Sequence, residues 1–285
     1  NIEFNPLNAS RKFLNKDYNF ITVDSKTTME SLKASESSSI KMKDVMGTYY
    51  VGFNLKGSSP LVQDSEIRKA LNHAIDRKRI ITEILGGMAT ESKGPLPPNI
   101  IDNKYLPSFN YNPEMVKSLI SKKGLSSTKK LKLLIREGSS DTVFNKIAAY
   151  LIEDLKKVGI QCIVTAVPND KYFEATPNSD IFISRWIADT GDPDNFLLPN
   201  FDPSNYTNFT RYENKDVLEM MGKAKEIINP VKKTKVYEDI QNQIINDSPW
   251  IFLYHPQIAI ATNPGVLGAR LNPLGMVRFE DIIIE

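Results

Sequence analysis

A single cysteine, Cys162, is all this chain offers, so no internal disulfide can staple the fold. Its surroundings, Ile160 to Val167, form an apolar run suited to a buried strand. That makes Cys162 a small core hydrophobe, with no candidate base beside it in sequence to activate a thiolate. Histidine is almost as scarce. His73 and His255 stand 182 positions apart, a spacing that suggests no metal site. An excess of charge of one sign is missing too: 36 basic residues meet 34 acidic ones, for a net charge of +2. No dense Lys/Arg run carries interleaved aromatics, so nucleic acid is not an expected partner. No apolar stretch approaches the ~20 residues that span a bilayer. The longest, Trp250 to Tyr254, has the length of a strand. Also lacking are a glycine-rich phosphate loop, a G-x-S-x-G elbow, H-E-x-x-H and C-x-x-C. Adjacent carboxylates such as Glu153-Asp154 fall on helix faces expected to be exposed. The expectation is a protein that is not an enzyme, with no cofactor and no metal ligands.

What is present is an ordinary globular composition, 41% hydrophobic and 25% charged over 285 residues, enough for one large domain or two smaller ones. Residues 1–47 are polar and weakly patterned, with a possible strand at Phe20–Val23 and a loop at Ser31–Ser39. Thr48–Leu55 is β-branched and aromatic, and reads as a strand. Asp64 caps a helix whose apolar face runs through Ile67, Leu71, Ala74, Ile80 and Ile84, and which ends at Gly86-Gly87. Gly94–Pro98 is a stiff extended loop. Helices follow at 113–121, 141–158 (opening at Asp141), 213–228 and 230–247, with Pro230 at a helix start. Strands are expected at 130–136, 160–167, 180–185, 250–254 and 257–262, with a last one in the tail 279–285. Alternating helices and strands make the class α/β, a mixed sheet flanked by helices.

Four segments taken together resemble a known family. They are Tyr49–Asn54 followed by Asp64 and Ile67–Arg77, which closes on Ala-Ile-Asp-Arg; Gly94-Pro95-Leu96-Pro97-Pro98; Ile147-Ala148 through Lys157-Val158-Gly159-Ile160; and Trp186–Leu197, with its Trp-x-x-Asp-x-x-Asp-Pro pattern. In this order they resemble the peptide/nickel class of solute-binding proteins, the dipeptide- and oligopeptide-binding components of ABC importers. The resemblance covers about residues 45–262. It implies a periplasmic-binding-protein-like lobe. Family members are longer, with two lobes joined by two crossing strands. The expectation is therefore a second ligand-binding lobe at 48–270, a remnant of the first lobe at 1–47 and a return segment at 271–285, with the return crossing near 263–275.

The residues leave their roles open, and the resemblance weights them. Asp189 reads either as a turn aspartate before Gly191 or as a ligand carboxylate; the resemblance implies that it pairs with a peptide's α-amino group. Trp186 is either core or, as the resemblance implies, a pocket wall that accepts varied side chains by area. Arg185 and Arg136 each end a predicted strand and suit either a surface ion pair or a peptide carboxylate. Asp192-Pro193 reads as a helix start, and Asp76, Arg77 and Arg68 as surface or helix-end ion pairs. The implied function is capture of short peptides as a monomer outside the cytoplasm, either as a Gram-positive surface lipoprotein or in a periplasm, and delivery to a membrane permease. The alternatives are the sensing lobe of a regulatory protein and a binder of a metal chelate such as nickel.

Overall fold

The computed structural model describes residues 6–23, 25–35, 39–125, 130–137, 142–272 and 274–285. Eight strands form one continuous mixed sheet: β1 (Phe20–Val23), β2 (Ser39–Asp44), β3 (Gly47–Phe53), β4 (Ala89–Glu91), β5 (Lys130–Arg136), β6 (Gln161–Val167), β7 (Ile181–Ile187) and β8 (Trp250–Thr262). The path runs β1-β8-β3-β7-β5-β6, with β2 and β4 also pairing with β8. β5 is parallel to β6 and β7, and the other pairs are antiparallel. A separate small ladder joins β9 (Val266–Leu267) to β10 (Ile283–Ile284).

The two predicted strands at 250–254 and 257–262 are one 13-residue strand. Its first half pairs with β3, and its second half with β1 and β2. Residues 44–47 make the companion passage from β2 to β3, and Val45 N–H donates to Pro256 O at 3.0 Å. Two segments thus cross between a large sheet and a three-stranded one. The crossing at 254–257 lies ahead of the 263–275 segment expected for it. Residues 1–47 are also less loop-like than expected. Helices Pro6–Leu14 and Lys26–Ala34 flank β1, Ser31 is helical, and 36–38 fall outside the described residues. Phe13, Met29 and Leu32 bury against Ile21, Val23, Ala259 and Ala261, a small core of their own.

Both faces of the large sheet are covered. On one side Val51, Phe53, Leu133 and Ile183 meet the helix Thr142–Lys157. Phe144, Ile147, Ala148, Leu151 and Leu155 recur there at helical spacing and are all buried. The predicted opening residue of that helix, Asp141, lies outside the described residues. On the other side Tyr50, Phe182, Phe252 and Trp250 meet the helices Asp194–Phe201, Lys215–Glu226 and Pro230–Asp247. Each such side chain, fully buried, contributes about 1.5–3 kcal/mol.

The helix expected from Asp64 to Ile84 is interrupted. Asp64 does cap Ser65–Leu71, accepting from Glu66 and Ile67 N–H. The helix then stops because Asn72 bonds to the sheet: its Nδ2 donates to Trp250 O at 3.0 Å and its Oδ1 accepts from Phe252 N at 3.0 Å. Asp76 restarts the chain by capping Arg79 N at 3.0 Å, and Gly86 and Gly87 end the next turn at positive φ.

Three sequence expectations about exposure are corrected. Arg68 and Arg77 are not surface ion pairs; both are buried and bond to backbone carbonyls. Arg77 reaches Phe252 O at 2.5 Å and Asn72 O at 2.6 Å, and Arg68 reaches Asp247 O at 2.7 Å. Asp154 is fully buried, accepting from Asp76 N at 2.9 Å and Lys157 Nζ at 2.8 Å. Only Glu153 of that pair is exposed, and it meets Arg79. Cys162 is half-buried, because β6 is an edge strand with mostly exposed side chains. Burial still pushes its thiol up to about 11, away from thiolate chemistry.

Candidate ligand-binding site

A candidate site lies at the crossing. Register along β3 and β8 shifts between Tyr49 and Tyr50: Tyr49 faces Tyr254, but Tyr50 faces Phe252. The extra residue is a β-bulge, which sends two successive side chains, Leu253 and Tyr254, to the same core. Tyr254 thereby stacks on Tyr49, with centroids 4.5 Å apart.

This stack is one wall of a cleft of about 420 Å³. Thr22 and Val23 come from the small sheet, Tyr49, Tyr254 and Arg185 from the large one, and Val143 from the helix beside it. The volume sits at the small end of the few hundred to about 1,000 Å³ usual for small-ligand sites. Among the described residues lining it, Arg185 alone carries a charge. Its Nη1 donates to Tyr49 Oη at 3.1 Å, and the guanidinium lies 5.7 Å from the Phe144 ring centroid.

Arg136 ends β5 two residues beyond Leu134, which packs in the core around Tyr50 and Phe182, so alternation starts its side chain on the face opposite to Arg185; its guanidinium still comes to 4.9 Å from the Phe144 centroid. The two arginines therefore flank one ring. Arg136 is held by its own chain: 3.7 Å from the Tyr172 centroid, with Nε donating to Asn169 Oδ1 at 2.9 Å and Nη1 to Ile183 O at 3.1 Å. It does not line the cleft.

Trp186, one residue after Arg185, faces the opposite side, as strand alternation requires. It is half-buried against the core around Tyr50 and Trp250, and its Nε1 donates to Asn195 O at 2.6 Å. Asp189 is exposed, in the loop after β7. That loop is tied to the crossing by Ala188 N–H donating to Met46 O at 2.9 Å, and Asp189 N–H is fixed by Asn195 Oδ1 at 3.1 Å. Asp192 Oδ1 accepts from Asp194 N at 2.9 Å as the next helix begins. So Arg185 and Arg136 are brought together, Trp186 is turned to the other face, and Asp189 extends beyond the strand.

Sequence reasoning missed the wall residues Tyr49 and Tyr254. The available signal was the broken alternation at Leu253-Tyr254. It also missed His255, which is fully buried inside β8. His255 Nδ1 lies 3.1 Å from Gly47 O; a carbonyl only accepts, so Nδ1 carries the proton and Nε2 the lone pair. Burial pushes this imidazole down to about 4, so it is neutral at pH 7. Among the described residues no group of three or more His, Cys, Asp or Glu could hold a metal ion, and no helix is long and apolar enough to cross a membrane.

The family described as bacterial extracellular solute-binding proteins, family 5 Middle, matches residues 2–208. The chain belongs to this family. Heme-binding protein A of Haemophilus influenzae is 28% identical over 243 residues, covering 83% of this chain and 44% of that protein. Di/tripeptide-binding protein 4 of Pseudomonas aeruginosa is 30% identical over 218 residues, covering 73% and 41%. The solved structure of HbpA2 from Haemophilus parasuis superposes with a TM-score of 0.90 at 22% identity, covering all of this chain and 57% of that one. The fold is therefore that of this solute-binding family. The chain spans about half the length of the curated relatives it matches.

Proposed function

We propose that this chain forms the peptide-capturing part of an extracytoplasmic solute-binding protein that serves an ABC importer. Its second lobe would be the large sheet and its helices, about residues 48–256; the small sheet with residues 1–47 and the tail would belong to the first lobe. Family membership supports binding in place of catalysis, and the relative named for di/tripeptides supports the cargo. The observation that carries the reading is the cleft at the crossing, walled from both sheets, with the exposed Asp189 in a loop tied to the same crossing.

In this reading Asp189 receives the peptide ammonium. A terminal ammonium entering a cleft loses water, and a charge-assisted bond to a carboxylate offsets that loss. Trp186 faces away from the cleft and steadies the loop that carries Asp189: its indole donates to Asn195 O, while Asn195 Oδ1 accepts from Asp189 N–H. A ligand that touches both units is bound most strongly when they close on it, so closure is a population shift. The partner is a membrane permease, and the protein works outside the cytoplasm as a monomer. Calorimetry on the full-length protein tests this. Asp189→Ala is expected to weaken peptide binding by over tenfold, and an unchanged affinity would refute the assignment.

A further inference from the structure

The helices Lys215–Glu226 and Pro230–Asp247 pack on the large sheet through Val217, Met221, Ala224, Tyr237, Ile240 and Ile244. Between Ala224 and Tyr237 the chain leaves the core, and no residue from Lys225 to Lys235 is buried. A helix end, a three-residue turn and the opening of the next helix thus form a projecting tip. Near its centre stand two aliphatic side chains, Ile228 at 96% and Val231 at 79% exposure. Local structure does not account for them. Asn229 caps the second helix, its side chain accepting from Lys232 N–H at 3.0 Å, and Pro230 takes the first helical position. A residue just before the cap can pack on the fourth helical residue as a hydrophobic staple. Here that fourth residue is Lys233, so Ile228 lacks an apolar partner at that position.

A lone exposed aliphatic side chain is ordinary. What distinguishes this pair is the charge around it. Positions 223–235 hold five lysines, at 223, 225, 232, 233 and 235, against one acid, Glu226. Lys223 meets Glu219 at 2.5 Å and Lys235 meets Asp239 at 2.9 Å, so both are partly neutralised from behind the tip. Lys225, Lys232 and Lys233 enter no ion pair among the described residues, and the charge of Asp194 reaches Lys225 and Lys233 only at longer range. A partner for such a surface carries negative charge and accepts aliphatic side chains at a convex point. An anionic bilayer does both: its headgroups attract lysine, and its interface admits isoleucine and valine without a preformed pocket. A protein partner fits less well. Lysine is depleted at protein interfaces, whose anchors are aromatic residues and arginine seated in pockets, and positions 223–235 contain neither.

We propose that the turn between these two helices is a membrane-contact site, with Ile228 and Val231 entering the headgroup region of an anionic lipid surface and Lys225, Lys232 and Lys233 holding the headgroups. The contact does not depend on which ligand the cleft takes. Sedimentation of the unlipidated full-length protein with vesicles tests it. Vesicles of phosphatidylcholine alone are compared with vesicles in which phosphatidylglycerol replaces a quarter of it. Partition onto the anionic vesicles is expected to be at least about tenfold stronger, and to fall severalfold as salt rises from about 50 to 500 mM. Ile228→Ser with Val231→Ser lowers it by roughly tenfold, and Lys232→Gln with Lys233→Gln lowers it by a similar factor, roughly tenfold. Unchanged thermal unfolding midpoints confirm that the variants are folded. Equal partition onto both kinds of vesicle, or anionic-vesicle binding that survives both double substitutions, overturns the proposal. So does a protein that ignores both vesicles but binds a polyglutamate peptide through the same lysines, since that outcome assigns the tip to an acidic polypeptide.

Discussion

Tyr254 lies flat on Tyr49, its ring plane within 15° of parallel, because one extra residue in β8 turns it to the face its neighbour Leu253 already occupies. The stack is at once part of the core and a wall of the cleft.

Removing that ring should therefore be costly. Tyr254 is 2% exposed. Tyr254→Ala is expected to lower stability by about 3 kcal/mol, the range for emptying a buried aromatic site. Tyr254→Phe keeps the ring and is expected to stay within about 1 kcal/mol of wild type. Urea unfolding midpoints at constant slope measure both. A Tyr254→Ala protein as stable as wild type would mean that the stack contributes nothing.

Arg77 donates to carbonyls of both the interrupted helix and β8: Asn72 O, Ile75 O and Phe252 O. Arg77→Met removes these interior hydrogen bonds and should cost about 3 kcal/mol. Arg77→Lys should recover little, since a single ammonium lacks the planar spread of donors with which Nε and Nη1 reach two separate segments. Comparison of the two urea midpoints decides this: a lysine variant as stable as wild type would show that charge alone suffices.

His255 gives stability a dependence on pH with a definite sign. Its ordinary value is 6.5, and burial lowers it to about 4 in the folded chain. Between those values the unfolded chain binds a proton that the folded chain refuses, so stability is full above 6.5 and is lost as pH falls towards 4. At about 1.4 kcal/mol per pH unit, the loss reaches roughly 3 kcal/mol. Denaturation at pH 7, 5.5 and 4 should show the gap between wild type and His255→Gln narrowing as the solution is acidified. A gap that stays constant would remove His255 from the acid response.

Much of this architecture was legible in the residues. β5 and the helix Pro230–Asp247 fall at their predicted bounds, because alternation, Pro230 at the first turn and the Asn229 cap are local signals. The interruption at Asn72 was not legible. An asparagine inside a periodic apolar pattern costs a helix little, and only the β8 backbone opposite, 178 positions away, gives it somewhere better to bond. Burial of Asp154 and Arg77 was hidden for the same reason: their partners are main-chain groups, which every residue carries and no sequence displays. For the candidate site, the resemblance pointed to Asp189 and Trp186, and the strand ends to Arg185 and Arg136. That Arg185 lines the cleft and Arg136 does not depends on which ring and carbonyl lie beside each, and that is settled by packing.

Pro256 stands near the middle of the longest strand in the molecule, at the point where β8 leaves its large-sheet partners for those of the small sheet. Proline has no N–H to give, so the ladder is short of one rung at its waist. Torsion between the two halves has no Pro256 N–H bond to break there, and the crossing is held instead through Pro256 O, which accepts from Val45 N–H.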